Sequence, residues 1–322
     1  MGNEPLPFVS VIIPALNEAH NIRYCLEALV HQNYPDDRYE IIVVDNGSSD
    51  NTTAISEQYA QFTYTFPGVT VSALRNFGSQ KAKGEIYAFI DADCVADRDW
   101  LSSAVLSLKK DLCITGAEVR IPPEARWIER SWFSRKNAAR QDVSHINSAN
   151  LIVTAEVFNR VGGFNEALVT GEDYEFSMRA RKFVKVISDD TIRVTHYGNP
   201  KTLLQFLRRE IWHGLGSVSS FKIHRFDKPL ISTVLFLICS LLQVISIAYA
   251  VLGKANLLFV YSSAVLLSLL ITTILYRIRN RFEPRYSLQL ILLYYVYYLG
   301  RSISFIYILM KKNYSHYTAT KQ

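Results

Sequence analysis

Short apolar runs alternate with helix-period segments through the first third of the chain. Residues 9–13 are β-branched and end at Pro14, and Asn17 then precedes a helical pattern carried by Ile22, Leu26 and Leu29. Residues 41–44 form a second apolar run, followed by Asp45-Asn46-Gly47-Ser48-Ser49-Asp50 and another helical stretch. The pattern predicts a third strand over 69–74, a helix over 76–83 and a fourth strand over 86–90. Continuous apolar strands separated by helices imply a parallel sheet covered on both faces. Ligands of such sheets bind beyond the carboxyl ends of the strands. On this reading Pro14, Asp45, Arg75 and Asp91 all follow strand ends and converge on one edge.

The C-terminal third reads differently. Residues 230–252 and 255–276 contain no charge, and each exceeds the roughly 20 residues that cross a hydrocarbon core of about 30 Å. A third apolar stretch, 288–310, is rich in Tyr and carries Arg301 near its centre. An Arg there must face a protein interior, a water-filled cleft or a lipid phosphate, or the segment lies at the interface or re-enters. The chain therefore divides into a soluble domain over 1–228, a membrane region over 229–310 and a tail over 311–322. Lys222, Arg225 and Lys228 precede the first span, Arg277, Arg279, Arg281 and Arg285 follow the second, and Lys254 stands alone between them. The positive-inside rule places the soluble domain in the cytoplasm at the plasma or inner membrane. A true third span would put Lys311 and Lys312 outside, against that rule.

Charge sharpens this division. Residues 229–322 hold nine Lys or Arg and one acid, so a chain of net charge +6 leaves its first 228 residues at about −2. The basic balance belongs to the apolar region and does not indicate a nucleic-acid partner. Cys25, Cys94, Cys113 and Cys239 lack metal-ligand or paired spacing and read as free cytosolic thiols. The first residues show no signal-peptide pattern. No dinucleotide fingerprint, P-loop or nucleophile elbow is present.

Asp91-Ala92-Asp93 carries the most specific chemistry. In an extended segment the two carboxylates point the same way, and like charges so placed call for a cation or donors between them. Oxygen ligands of this kind suit Mg²⁺ or Mn²⁺ together with substrate phosphates. The same pair also fits an ordinary strand-end turn.

Val9 to Glu18, Ile41 to Asp50, Arg75-Asn76-Phe77-Gly78, Asp91-Ala92-Asp93, Gly162-Gly163-Phe164 and Gly171-Glu172-Asp173-Tyr174-Glu175-Phe176 stand in an order that resembles the family-2 glycosyltransferases. The resemblance covers about residues 8–200 and implies a GT-A fold, an α/β domain with a mostly parallel sheet. It implies that Pro14, Ala15 and Glu18 line a nucleotide pocket and that Asp45 meets the base, with a turn-stabilising Asp before Asn-Gly as the lesser reading. Arg75 and Lys83 become candidates for nucleotide contacts, Asp91 for the ribose or a metal-bound water, and Asp93 for the Mg²⁺ or Mn²⁺ that bridges the diphosphate. Asp173 would be the general base of an inverting transfer, with Glu172 orienting the acceptor or serving as a helix N-terminal charge. His196 sits where relatives place a metal-binding His, and Arg208 could reach the diphosphate.

The donor implied is a UDP- or GDP-sugar. The acceptor implied is lipid-linked or a cell-envelope glycan. Residues 126–136 and 203–212 mix aromatic and basic residues as membrane-interface segments do, which makes membrane lipids a further partner. Processive polysaccharide synthases carry Gln-x-x-Arg-Trp after the base, whereas Gln205-Phe206-Leu207-Arg208-Arg209 replaces the Trp. A processive synthase and an inactive membrane scaffold remain alternatives at this point.

Overall fold

The computed structural model describes residues 5–134, 139–223, 228–252, 257–280 and 286–310. The first elements are β1 (Val9–Ala15), α1 (Ile22–Leu29), β2 (Tyr39–Asp45), α2 (Thr52–Ser56), β3 (Phe62–Thr65), α3 (Val71–Lys81), β4 (Ile86–Ile90), β5 (Cys94–Ala96) and α4 (Trp100–Lys110). They are followed by β6 (Cys113–Gly116), α5 (Trp127–Phe133), β7 (Gln141–Asp142), β8 (Asn150–Thr154), α6 (Ala155–Val161), α7 (Glu172–Ala180), β9 (Lys185–Ser188) and β10 (Val194–His196). Among the described residues four long helices follow: α8 (Leu203–Ile223), α9 (Lys228–Val251), α10 (Leu258–Asn280) and α11 (Ser287–Met310). The described residues divide into two compact units, 5–122 with 139–199, and 123–134 with 200–310.

The first unit is built on an eight-stranded sheet of order β3-β2-β1-β4-β8-β6-β9-β7. Strands β3, β2, β1 and β4 run parallel, and β8 enters antiparallel between β4 and β6. Side-chain alternation splits the core. Val11, Ile13, Ile41, Val43, Ala88 and Ile90 face α1 and α4 through Leu26, Leu29, Trp100 and Leu101. Ile12, Phe89 and Leu151 face α6 and α7 through Phe158 and Phe176. Covering on both faces explains why these strands read as continuous apolar runs.

One predicted element is wrong, and the error bears on the site. Residues 69–74 do not form a strand; the third parallel strand is β3, and α3 begins at Val71. Thr70 caps that helix by accepting the Ala73 amide at 3.3 Å. Leu74 packs on Ile42 and Val44 beside Phe77, a 3.6-residue stripe read as a strand because of its β-branched start. At Gly78 a Cβ would lie 2.5 Å from Ile12 Cγ2, so α3 approaches the sheet more closely than any larger residue permits. Arg75 is therefore a helical residue and follows no strand.

Among its described residues the second unit has three helices long and apolar enough to cross a membrane, Leu230–Val251, Phe259–Arg277 and Leu288–Met310. Arg301 finds a partner within this unit. Its Nη2 lies 3.2 Å from Glu210 Oε2 on α8, and Nη1 donates to the His213 carbonyl at 2.8 Å. Small residues permit that contact: a Cβ on Gly300 would come within 3.0 Å of Glu210 Cβ, and one on Gly214 within 2.5 Å of Ser304 Oγ. Trp132 of α5 packs on Phe206 and Tyr294 with ring centroids 4.8 and 4.9 Å away, and Arg277 lies 4.1 Å over its ring. Replacing Arg301 with Met strands a buried carboxylate, and we expect a loss of about 3–5 kcal/mol in detergent unfolding. Adding Glu210→Gln should recover most of that loss. Of the basic residues that orient the spans, Arg225, Lys254, Arg281, Arg285, Lys311 and Lys312 lie outside the described residues, as do Arg135, Lys136 and the tail over 311–322.

Candidate functional site

Sheet register brings the first site residues to one edge. Ala15 pairs with Asp45, and Ile12 with Phe89, so β1, β2 and β4 end together, with Pro14, Asp45 and Asp91 at that end. The loops after β1 and β2 are stitched to each other. Asn17, at φ +54°, accepts the Ser49 amide at 2.9 Å, its own amide donates to Ser48 Oγ at 2.8 Å, and the Glu18 amide donates to Thr52 Oγ1 at 2.7 Å. Asp45 is buried and accepts the Gly47 and Ser48 amides at 2.9 and 2.8 Å and the Ser48 hydroxyl. Its carboxylate thus shapes the turn that follows β2. Glu18 lies among the acids; burial pushes its pKa up to about 7 against the Asn21 hydrogen bond, with Asp93 adding to the rise.

A small second sheet closes the gap to His196. Strand β10 pairs antiparallel with β5, with His196 opposite Cys94. His196 Nε2 then lies 3.2 Å from Asp93 Oδ2, and the Tyr197 amide donates to the Asp93 carbonyl at 2.9 Å. Donor atoms of Asp93, Cys94 and His196 all fall within 4.8 Å of one another. Burial works to raise the Asp93 carboxyl, yet attraction to the His196 ring and its hydrogen bond hold it below the usual carboxylate range.

This donor set fits a divalent cation. Two cis ligands at about 2.1 Å from an octahedral ion stand about 3 Å apart, the spacing of the Asp93 oxygen and the His196 nitrogen. The carboxylate also sits in a cradle that only glycine leaves open, because a Cβ on Gly198 would lie 1.8 Å from Asp93 Oδ2. Cys94 is fully buried, and burial raises its thiol well above the ordinary range, so it offers a hydrogen bond (3.8 Å to Asp93 Oδ1) rather than a thiolate.

A second acid pair faces the same region from α7. Glu172 Oε1 accepts from Arg75 Nη1 at 2.8 Å and from Ser148 Oγ at 3.1 Å. Asp173 has a backbone partner instead, the Tyr174 amide, at 2.7 Å on Oδ1. Burial raises the pKa of both acids; the Asp173 charge adds to the rise at Glu172, and Arg75 opposes it at each. Arg75 also donates to Asp91 Oδ1 through Nη2 at 2.6 Å, so one guanidinium ties the first acid pair to the second.

Of the sequence candidates in this unit, Lys83 is not brought here. Lys83 is exposed at the amino end of β4, where its amide donates to Glu40 and its ammonium lies 5.2 Å over the Phe62 ring. Arg208 is an exposed residue of α8 in the second unit. Ser148 and Gly198 were not singled out in the sequence, and Asn76 stood there only as part of Arg75-Asn76-Phe77-Gly78. Gly198 follows His196-Tyr197, and that adjacency was the one available signal.

A sheet in which β3, β2, β1 and β4 run parallel and β8 lies antiparallel beside β4, with an acid cluster beyond the carboxyl ends of the parallel strands, is the GT-A fold. Residues 10–162 match the model of glycosyl transferase family 2. Glycosyltransferase AglE of Haloferax volcanii is 36% identical over 188 residues, which cover 54% of this chain and 62% of AglE. The chain thus spans less than two thirds of that relative. A Methanococcus voltae protein named dolichyl N-acetyl-alpha-D-glucosaminyl phosphate 3-beta-D-2,3-diacetamido-2,3-dideoxy-beta-D-glucuronosyltransferase is 24% identical over 317 residues, 89% of this chain and 92% of its own length. Among solved structures, the mannosyltransferase PcManGT of Pyrobaculum calidifontis, in complex with GDP-Man and Mn2+, shares the fold at a TM-score of 0.61. It is 19% identical, with 94% of this chain and 87% of PcManGT covered.

Proposed function

We propose that this chain is a membrane-anchored, metal-dependent, inverting glycosyltransferase that moves one sugar from a nucleoside-diphosphate sugar to a lipid-linked acceptor at the cytoplasmic face. The observation that carries the reading is the arrangement around Arg75. It joins an acid pair suited to a metal diphosphate to a second pair in which Glu172 takes the guanidinium and Asp173 takes a backbone amide.

Asp93 and His196 would hold Mg²⁺ or Mn²⁺, with Asp91 beside them facing the ribose or a metal-bound water. When bound, the cation supplies charge neutralisation on the departing diphosphate. Pro14, Ala15 and Glu18 line the nucleotide side. Asp173 takes the proton of the acceptor hydroxyl as its oxygen bonds to the anomeric carbon. The bond from that carbon to the diphosphate oxygen breaks on the opposite face, and the nucleoside diphosphate leaves with the electron pair. The anomeric configuration inverts, and no covalent intermediate forms on the protein.

Three apolar helices support the membrane location, and the Methanococcus voltae relative, aligned over most of both chains, has a dolichyl phosphate-linked sugar in its name. Exposed Leu203, Leu204 and Arg208 on α8 suit a headgroup layer. The processive reading is weaker. Gln205 accepts the Lys201 and Thr202 amides at 2.9 and 3.1 Å as part of the α8 cap, and Arg209, where the synthases place Trp, lies 4.6 Å over the Phe133 ring. An inactive scaffold would need none of the four acids.

The test is transfer of labelled sugar by the purified full-length protein to polyprenyl-phosphate-linked and to soluble sugar acceptors. The expected product is a single added residue of inverted configuration on the lipid-linked acceptor. Equal rates on both acceptors, or a polymeric product, would reject the acceptor class or the single-transfer reading respectively.

A further inference from the structure

Arg75 is buried, 2% exposed, and both terminal nitrogens of its guanidinium hold carboxylates. Nη2 holds Asp91 at 2.6 Å and Nη1 holds Glu172 at 2.8 Å, partners 16 and 97 positions away in the chain. Its Nε is buried as well, so a nucleotide finds no exposed edge of this guanidinium and would have to compete with a carboxylate for the terminal nitrogens.

The next residue on α3 grips the same acceptor-side segment. Asn76 Oδ1 accepts the Phe164 amide at 2.9 Å, and Nδ2 donates to the Phe164 carbonyl at 2.9 Å and to Glu166 Oε1 at 2.8 Å. Gly163, at φ +68°, makes the approach possible, since a Cβ there would lie 2.8 Å from Asn76 Oδ1. Phe164 in turn places its ring 5.7 Å from the Arg75 guanidinium carbon. Two consecutive residues of one short helix thus fasten the loop leading into α7, and one of them also reaches the metal-side acids.

We propose that Arg75 is a positioning residue for the transfer: through Asp91 and Glu172 it sets the donor-side and acceptor-side acids relative to each other, and it does not bind the nucleotide. The proposal rests on the reading of Asp173 as general base. Glu172 is the anchor of α7 that Arg75 holds, so the adjacent base keeps its place only while that ion pair stands. A group misplaced by about 1 Å costs on the order of 10²-fold in rate without requiring any loss of ground-state binding.

The test measures kcat for nucleoside-diphosphate release in the presence of acceptor, together with the donor-sugar Kd by calorimetry, in the full-length protein. Arg75→Lys and Glu172→Gln should each lower kcat by roughly 10- to 100-fold, with donor Kd held within about threefold. Arg75→Ala should recover part of its turnover with added methylguanidine, a rescue that general loosening of the fold would not allow. Glu172→Gln preserves volume and an acceptor for Ser148, so it carries the test if the Arg75 variants do not fold. A donor Kd that weakens more than kcat falls would make Arg75 a nucleotide contact, and unchanged kcat would remove it from the mechanism. Wild-type protein and Asp173→Asn run in parallel separate the two claims. If wild type turns over, Asp173→Asn is inert and the Arg75 variants remain fast, the positioning role alone is refuted. If wild type has no turnover, both claims fall.

Discussion

Asp173→Asn should lower turnover by about 10²- to 10⁴-fold while leaving donor affinity unchanged, because it removes the proton acceptor and nothing that holds the nucleotide. Burial raises the carboxyl of Asp173, which makes it a stronger base once ionised. In wild type kcat should therefore fall as pH drops through a value above the ordinary carboxylate range. The stability effect has the opposite sense. A carboxyl raised in the folded state keeps its proton longer than in the unfolded chain, so its contribution declines as pH rises from the unfolded value to the folded one. Above its folded-state value the ionised Asp173 is a net cost, and there Asp173→Asn should melt at the same temperature as wild type or higher. A variant that is inert yet at least as stable would separate catalysis from folding. Full activity in Asp173→Asn would refute the assignment.

The second large effect concerns Asp93. Asp93→Ala should abolish the metal dependence of donor binding and reduce turnover to background, since the remaining donors, His196 and the protonated Cys94 thiol, do not make a site for a hard cation. Gly198→Ala should follow it part of the way, because the added methyl takes the space of Asp93 Oδ2. The checking measurement is Mn²⁺ affinity by electron paramagnetic resonance, which reads the site independently of turnover. We expect weaker binding in both variants and a lower melting temperature for Asp93→Ala, which loses the His196 pair. Unaltered Mn²⁺ affinity in both would show that the cation binds elsewhere.

The sequence made some of this legible and hid the rest for identifiable reasons. Strands β1, β2 and β4 announce themselves as β-branched or apolar runs, and their shared ending follows from parallel pairing. Helix α3 was misread because Val69, Val71 and Leu74 satisfy a strand pattern as well as a helical stripe, and β3 is too short and too exposed to compete. That one error moved Arg75 from a helix to a strand end and concealed its two partners. His196 could be placed by family resemblance, but its approach to Asp93 depends on the three-residue pairing of β5 with β10, which no local pattern encodes. Glu210 and Arg301 likewise look unrelated along the chain. Their pairing is a tertiary fact, allowed by glycines whose neighbours lie on another helix.

Calorimetric titration of the wild-type full-length protein with UDP-glucose, UDP-N-acetylglucosamine and GDP-mannose, with Mn²⁺ and then with chelator, tests the central claim most directly. The account predicts that a nucleoside-diphosphate sugar binds in the presence of Mn²⁺ and loses its affinity when the metal is removed. Binding that is equally tight in chelator, or no binding by any of the three with Mn²⁺ present, would contradict it.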